Sequence, residues 1–337
     1  LPWSVLILLT LAGATTQSQA RGGLGPVLQS PTGAASAPAP SVSAVSSGAA
    51  QAAVLQRAAG LVGIVDGPAL LYRGSTRYGL LEGVRLQPDD IVEAPKGSVV
   101  QIEFGDGSRL ALADNARAMV QPHWLARRGQ PGLPRAYLLQ GWFKLHQPAA
   151  SSSEFVTPGV RFSHEAGDGK LSGTTATAVF QVGDAGQDGP STLDLFVEAG
   201  VLKVTERSEP LRHWSLKGDD FFSRQGGDRP VLTSRPSSDF LGRLPVAFRD
   251  ALPSRVARYA ERGMPPSPQG DLNYADVASW LRGEPLLRAA MVEQLRSRLG
   301  DANFRTSVQN NLARHPEWER PLAGERQPPV RGGAASH

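Results

Sequence analysis

Asp106 and Gly107 sit at the centre of VVQIEFGDGSRLALAD, residues 99–114, between two runs of alternating apolar residues. An acidic side chain beside a glycine can serve a bound cation or simply turn the chain. A calcium loop needs several oxygen ligands at alternating positions. Here only Glu103, Asp106, Ser108 and Asp114 are on offer, and strand alternation sends them to different faces. Asp-Gly is also a favoured pair for a type I′ hairpin turn, in which both central residues take positive φ. The expectation is a structural hairpin turn at Asp106-Gly107 that holds no ligand.

Other residues able to do chemistry are scattered. Five histidines stand far apart, at positions 123, 146, 164, 213 and 315, and the sixth is the terminal residue. None is spaced to share a metal with another. His164, Glu165 and Asp168 are close in SHEAGDG, but neighbours on an extended chain point to opposite faces, so a polar loop is expected. The glycines of AGDGKLSG, residues 166–173, lie between strand-like runs and lack the strand-to-helix setting of a nucleotide loop. Asp89-Asp90 and Asp219-Asp220 precede apolar runs, where acids commonly serve turns. Carboxylates of a hydrolase meet in space rather than in sequence, so that chemistry predicts two of them facing one cleft. Trp124, Trp142 and Trp214 are able to stack on sugars, with core packing as the commoner use. There is no cysteine, which removes disulfides and thiol chemistry. No catalytic residue, metal or cofactor is expected.

The elements that would carry these residues divide the chain. Of 337 residues, 40% are hydrophobic and 20% charged, the proportions of a soluble globular protein. The formal net charge of +4 is too small to imply nucleic acid. LPWSVLILLTLAGA is an apolar run shorter than a membrane span, followed by Ser18 and Ala20 at signal-peptidase spacing. Residues 1–20 read as a signal peptide cleaved after Ala20, with an inner-membrane anchor through residues 1–14 as the alternative. Residues 21–59 read as an Ala/Pro/Ser-rich linker.

Residues 60–225 read as β throughout. Val100, Ile102 and Phe104 fall on one strand face, with Val99, Gln101 and Glu103 on the other. Gly141 marks a bulge or bend within a strand, and Ala199-Gly200 turns the chain. Residues 237–320 then read as helical. Leu244, Phe248 and Leu252 are four apart, and Pro253 opens a further helix. MPPSPQGD is a rigid break, and Asn273 caps the next helix. From Pro285, Leu287, Met291, Leu295 and Leu299 make one stripe. Gly300 is placed as a C-cap, and Asp301 caps the helix carrying Phe304, Val308 and Leu312. Residues 321–337 read as a disordered tail. The whole is α+β: an all-β sandwich or barrel-like domain with a small helical region after it. Residues 224–337 hold 17 arginines, no lysine and 12 acids, so a solvated or partner-facing arginine surface is expected on the helices.

The order of motifs around the Asp106 turn resembles the FecR domain of bacterial envelope proteins. Leu86 to Glu93, LQPDDIVE, stands at the family's L-x-x-G-D-x-I-x-T step, departing at the glycine and threonine. Asp106-Gly107-Ser108-Arg109-Leu110-Ala111-Leu112 matches D-G-S-x-L-x-L throughout. The family's F-x-V-x-T-P element appears here as Phe155-Val156-Thr157-Pro158. Gly173-Thr174 follows Ser172 where the family has arginine. Glu198 and Val201 match E-G-x-V, with Ala199 inserted before Gly200. The likeness spans residues 60–225. It implies a non-catalytic, β-rich periplasmic domain that recognises an envelope protein partner, with glycan or peptidoglycan as the alternative ligand. Family members that control sigma factors carry a cytoplasmic segment; upstream of the β region this sequence shows a signal-like segment and a linker, so that role is not carried over.

Overall fold

A computed structural model describes residues 58–126, 132–164, 174–183, 191–251, 253–259 and 263–324. The expected signal peptide with its Ala20 cleavage site, the linker up to residue 57, Glu165 and Asp168 lie outside them. Strand-forming, alternating segments produce β1 Gly60–Asp66, β2 Leu70–Arg73, β3 Thr76–Gly79, β4 Arg85–Leu86, β5 Ile91–Ala94 and β6 Val99–Glu103. The two long strands β7 Arg109–Val120 and β8 Ala136–Gln147 come next, then β9 Glu154–Val156, β10 Val160–His164, β11 Ala176–Val182 and β12 Leu193–Ala199. The series ends with β13 Val201–Glu206, β14 His213–Lys217, β15 Phe221–Arg224, β16 Val231–Thr233 and β17 Ser267–Asp271. The fold is β-rich with helices gathered at its C-terminal end.

All the strands belong to one hydrogen-bonded sheet, antiparallel except where β8 meets β9. It doubles over through β7 and β8. The first half of β7 and the second half of β8 belong to a lower leaf, β4-β1-β6-β7-β8-β11-β12-β15-β16. The other halves belong to an upper leaf, β17-β3-β2-β5-β7-β8-β9-β10-β13-β14. The bend is at Asp114 and Asn115, both at positive φ, where the β7–β8 register shifts. Gly141 faces it with φ +101°, and a Cβ there would lie 2.2 Å from the Ala116 Cα. Only glycine fits. Gly200, at φ +75°, carries the chain from β12 in the lower leaf to β13 in the upper.

Between the leaves lies the main core, with Val100, Ile102, Phe143, Phe162, Phe180 and Phe222 among its residues. Burying each large side chain contributes about 1.5–3 kcal/mol. Both outer faces are covered too. On the upper leaf, Tyr72, Ile91, Met119 and Tyr137 pack against the C-terminal helices. On the lower leaf, Ala111, Ala113, Trp142, Val179 and Phe221 pack against Phe240 and Phe248.

The helical part departs from its expected outline. Helix α1, Ser238–Arg243, ends before Pro245, so Leu244 and Phe248 do not share one helix; Phe248 ends a short 3-10 turn. Pro253 opens no helix: residues 253–255 belong to neither helix nor strand, and α2 is only Val256–Tyr259. The proline-rich break contains β17, which pairs with β3 at the sheet edge. Asn273 does cap α3, Tyr274–Leu281, in a reciprocal box with Asp276. Pro285 opens α4, Pro285–Leu295, and Leu287, Met291, Leu295 and Leu299 are fully buried. Gly300 ends a 3-10 turn without entering the left-handed region, and Asp301 caps α5, Ala302–Asn310. The chain stays helical beyond residue 320, in α6 Glu319–Gly324, because Trp318 and Leu322 are buried. The β part likewise passes residue 225, to β16. No helix among the described residues is long and apolar enough to cross a membrane.

Candidate functional site

The outer face of the lower leaf changes character along its length. One end is aromatic: Phe240 meets Trp142 and Phe221 at ring distances of 5.1 Å each. The other end is polar, because the outward positions of β6, β7, β8, β11 and β12 are Gln101, Arg109, Lys144, His146, Thr177 and Glu198. Register sets Arg109 beside His146 and His146 beside Thr177. Above them the chain continues past Phe248 as a strap described over residues 249–251 and 253–255. Floor and strap enclose a cleft of about 300 Å³, lined by these polar residues with Ala111, Ala199, Arg249 and Ala251.

The strap is held at both ends. Lys144 donates from Nζ to the Phe248 carbonyl at 2.7 Å, to the Asp250 carbonyl at 3.4 Å and to Glu198 at 3.0 Å. Past the cleft, the Arg255 N–H and the Ser254 hydroxyl donate to the Glu103 carboxylate, and Gln101 Nε2 donates to the Pro253 carbonyl at 2.9 Å. Gln101 and Glu103, on the strand face opposite Val100 and Ile102, are therefore buried. Arg255 and Tyr259 both reach Glu82. Within the cleft, burial pushes the His146 imidazole below its ordinary value, and the charges of Arg109 and Lys144 push it further. Its Nδ1 lies 3.4 Å from the Thr177 hydroxyl. Glu198 is the one carboxylate among the lining residues.

Asp106 and Gly107 form a turn of a different type from the one expected. Gly107 has φ +81° while Asp106 is not at positive φ, and Gly107 N–H donates to the Phe104 carbonyl. This is a three-residue loop closed by a left-handed glycine, not a type I′ pair. The Asp106 carboxylate also receives the hydroxyls of Ser108, Ser151 and Ser153, with Arg135 at 4.0 Å. Burial raises its pKa, but those donors outweigh burial and hold the carboxyl below its ordinary value. Ser151 and Ser153 arrive from 45 and 47 residues downstream, and nothing in the local sequence signals them.

Asp89 and Asp219 sit at positive φ, and the Asp90 and Asp220 carboxylates accept the Gln87 and Lys217 N–H groups, as turn residues do. Asp90 also pairs with Arg73 at 2.6 Å. Trp142 is buried, Trp124 packs on Tyr137 and Trp214 on Phe222. His164 Nε2 lies 2.9 Å from the Thr174 carbonyl oxygen. Among the described residues no cluster of three metal-ligating side chains occurs.

A second surface lies at the end of the lower leaf. β16 pairs with β15 on one side, and no described strand pairs with its other side. All three of its residues are exposed, including Val231 and Leu232. Leu211, before β14, is 95% exposed. No protein-family model matches this chain, and no curated protein does.

Proposed function

We propose that this protein is an exported binding protein of the Gram-negative cell envelope that recognises a protein partner in the periplasm through a FecR-like β domain. The observation that carries the reading is the open edge of β16. An exposed strand edge bearing Val231 and Leu232 is suited to accept an extended segment of a partner, with main-chain bonds for affinity and side-chain contacts for choice. The FecR-like motif order agrees, since its D-G-S-x-L-x-L step is the β6–β7 turn of the doubled sheet, a sandwich in this reading.

The test has two arms. A fusion of residues 1–60 to alkaline phosphatase is expected to be active in the periplasm; an inactive fusion sinks the export half. A photo-crosslinking residue at Leu232 is expected to give one discrete protein adduct in intact cells, lost when Val231→Lys is added. No adduct, or adducts indifferent to Val231→Lys, ends the partner reading. The second reading, a glycan- or peptidoglycan-associated module, draws on the basic cleft, which suits acidic cell-wall groups. Co-sedimentation with isolated sacculi separates it from a protein receptor, which stays in the supernatant.

A further inference from the structure

We infer that the β16 edge takes a short extended segment of its partner in which one large apolar residue is flanked, three residues to either side, by carboxylates. This rests on the reading of β16 as the partner edge and adds which sequence that edge selects. β14 and β16 are the last strands of the upper and lower leaves. Between them the Trp214 ring of β14 lies 5.3 Å from the Phe222 ring of β15. Leu232 is registered opposite Phe222, so it shares that residue's face, toward the space between the leaves. Phe222 is fully buried, whereas Trp214 is half-buried and Leu232 is 45% exposed. The main core therefore meets solvent along this side, between Trp214 and Leu232.

A strand added to β16 continues the lower leaf, and every second side chain of it points to the same face as Leu232. The residue opposite Leu232 thus enters the space between the leaves, where a large apolar side chain covers Leu232 and the Trp214 ring. The prolines set the length. Pro230 and Pro236 leave only residues 231–235 between them, and a proline has no N–H to offer an added strand. The edge accordingly takes a short segment rather than the long strand of another sheet.

Charge narrows the choice further. Arg229 and Arg235 stand three residues to either side of Leu232, both exposed and neither in an ion pair among the described residues. Asp228, beside Arg229, is the one acid in residues 225–235. The Asp219-Asp220 turn is tied to Val197 of β12, on the other side of β15 from the free edge. A second copy of this chain is a poor occupant: antiparallel pairing about Leu232 would set Arg229 opposite Arg235 twice, and like charges directly opposite destabilise. Carboxylates at those two positions turn the same geometry into attraction.

The experiment adds three capped heptapeptides to the full chain: Glu-Thr-Val-Phe-Val-Thr-Glu, the same with lysine at both ends, and the first with serine for phenylalanine. Amide exchange at Val231–Thr233 reports strand addition. The Trp214 indole N–H resonance, assigned by its loss in Trp214→Phe, reports entry between the leaves. The glutamate peptide is expected to saturate by about 10 mM, slowing exchange and shifting the Trp214 signal. Serine for phenylalanine should weaken binding about tenfold, and lysine for glutamate at least about threefold. Arg229→Glu combined with Arg235→Glu alters exposed side chains only and should reverse the choice between the glutamate and lysine peptides. Slowed exchange without a Trp214 shift, or equal binding of the three peptides, overturns the inference and leaves the edge reading standing. Unchanged exchange with every peptide overturns it as well, and the Leu232 crosslink then decides the edge reading separately.

Discussion

Asp106 shows how far a local motif reads and where it stops. The Gly105-Asp106-Gly107 triplet announces a turn, and a turn is what forms. The carboxylate's other role depends on Ser151 and Ser153 meeting it from another loop, a contact fixed by the doubling of the sheet. Because its folded pKa is depressed, Asp106 adds stability that is fully present above the ordinary carboxyl value of about 4 and is lost as pH falls through its lower folded value. Asp106→Asn should therefore cost about 1–3 kcal/mol at pH 7 and much less at pH 3. Urea melts at the two pH values measure this, and an equal loss at both would show that the ionised form is not what the serines hold.

At the scale of elements, legibility followed burial geometry. The stripe Leu287–Met291–Leu295–Leu299 was readable because one helix face packs on the upper leaf, and Asn273 and Asp301 were readable because caps act within three residues. β17 was not readable: Pro268 and Gly270 disguise it, and an edge strand tolerates both. The strap was also hidden, since its periodicity looks helical until Pro245 interrupts it and Lys144 draws it across the sheet. The arginine surplus had a similar outcome. Arg255, Arg288 and Arg298 pair with Glu82, Glu317 and Asp271, so they tie elements together rather than form an open basic face. Lys144→Met removes the donor shared by Phe248, Asp250 and Glu198. Stability should fall by about 1–3 kcal/mol, and strap amides such as that of Arg249 should exchange faster with the β7–β8 ladder unaffected. Uniform acceleration across the sheet would show that the lysine supports the leaf and not the strap.

The described residues stack as strap, lower leaf, upper leaf and helices, and the contact between upper leaf and helices is polar at its centre. Glu93, buried on the upper leaf, accepts from Tyr72 at 3.0 Å and from the Trp280 ring at 3.3 Å, and pairs with Arg117 at 3.1 Å. Arg207 makes a two-pronged contact with Glu284, to which Tyr137 also donates. On the far side of the helices, His315 is fully buried beside Tyr274, with neither ring nitrogen in a well-formed hydrogen bond. Burial lowers its pKa, so the folded state resists the proton that the unfolded chain accepts near pH 6.5. Stability is thus highest above about pH 6.5 and falls as pH drops toward the folded value, by up to about 1.4 kcal/mol for each unit of depression. His146 carries the same sign from the opposite side of the stack. Urea midpoints should decline between pH 7.5 and 5.5 in the parent, decline less in His315→Phe, and become nearly level in His315→Phe combined with His146→Gln. If His315→Phe keeps the full decline, the buried imidazole is not the group through which acid loosens the helical layer.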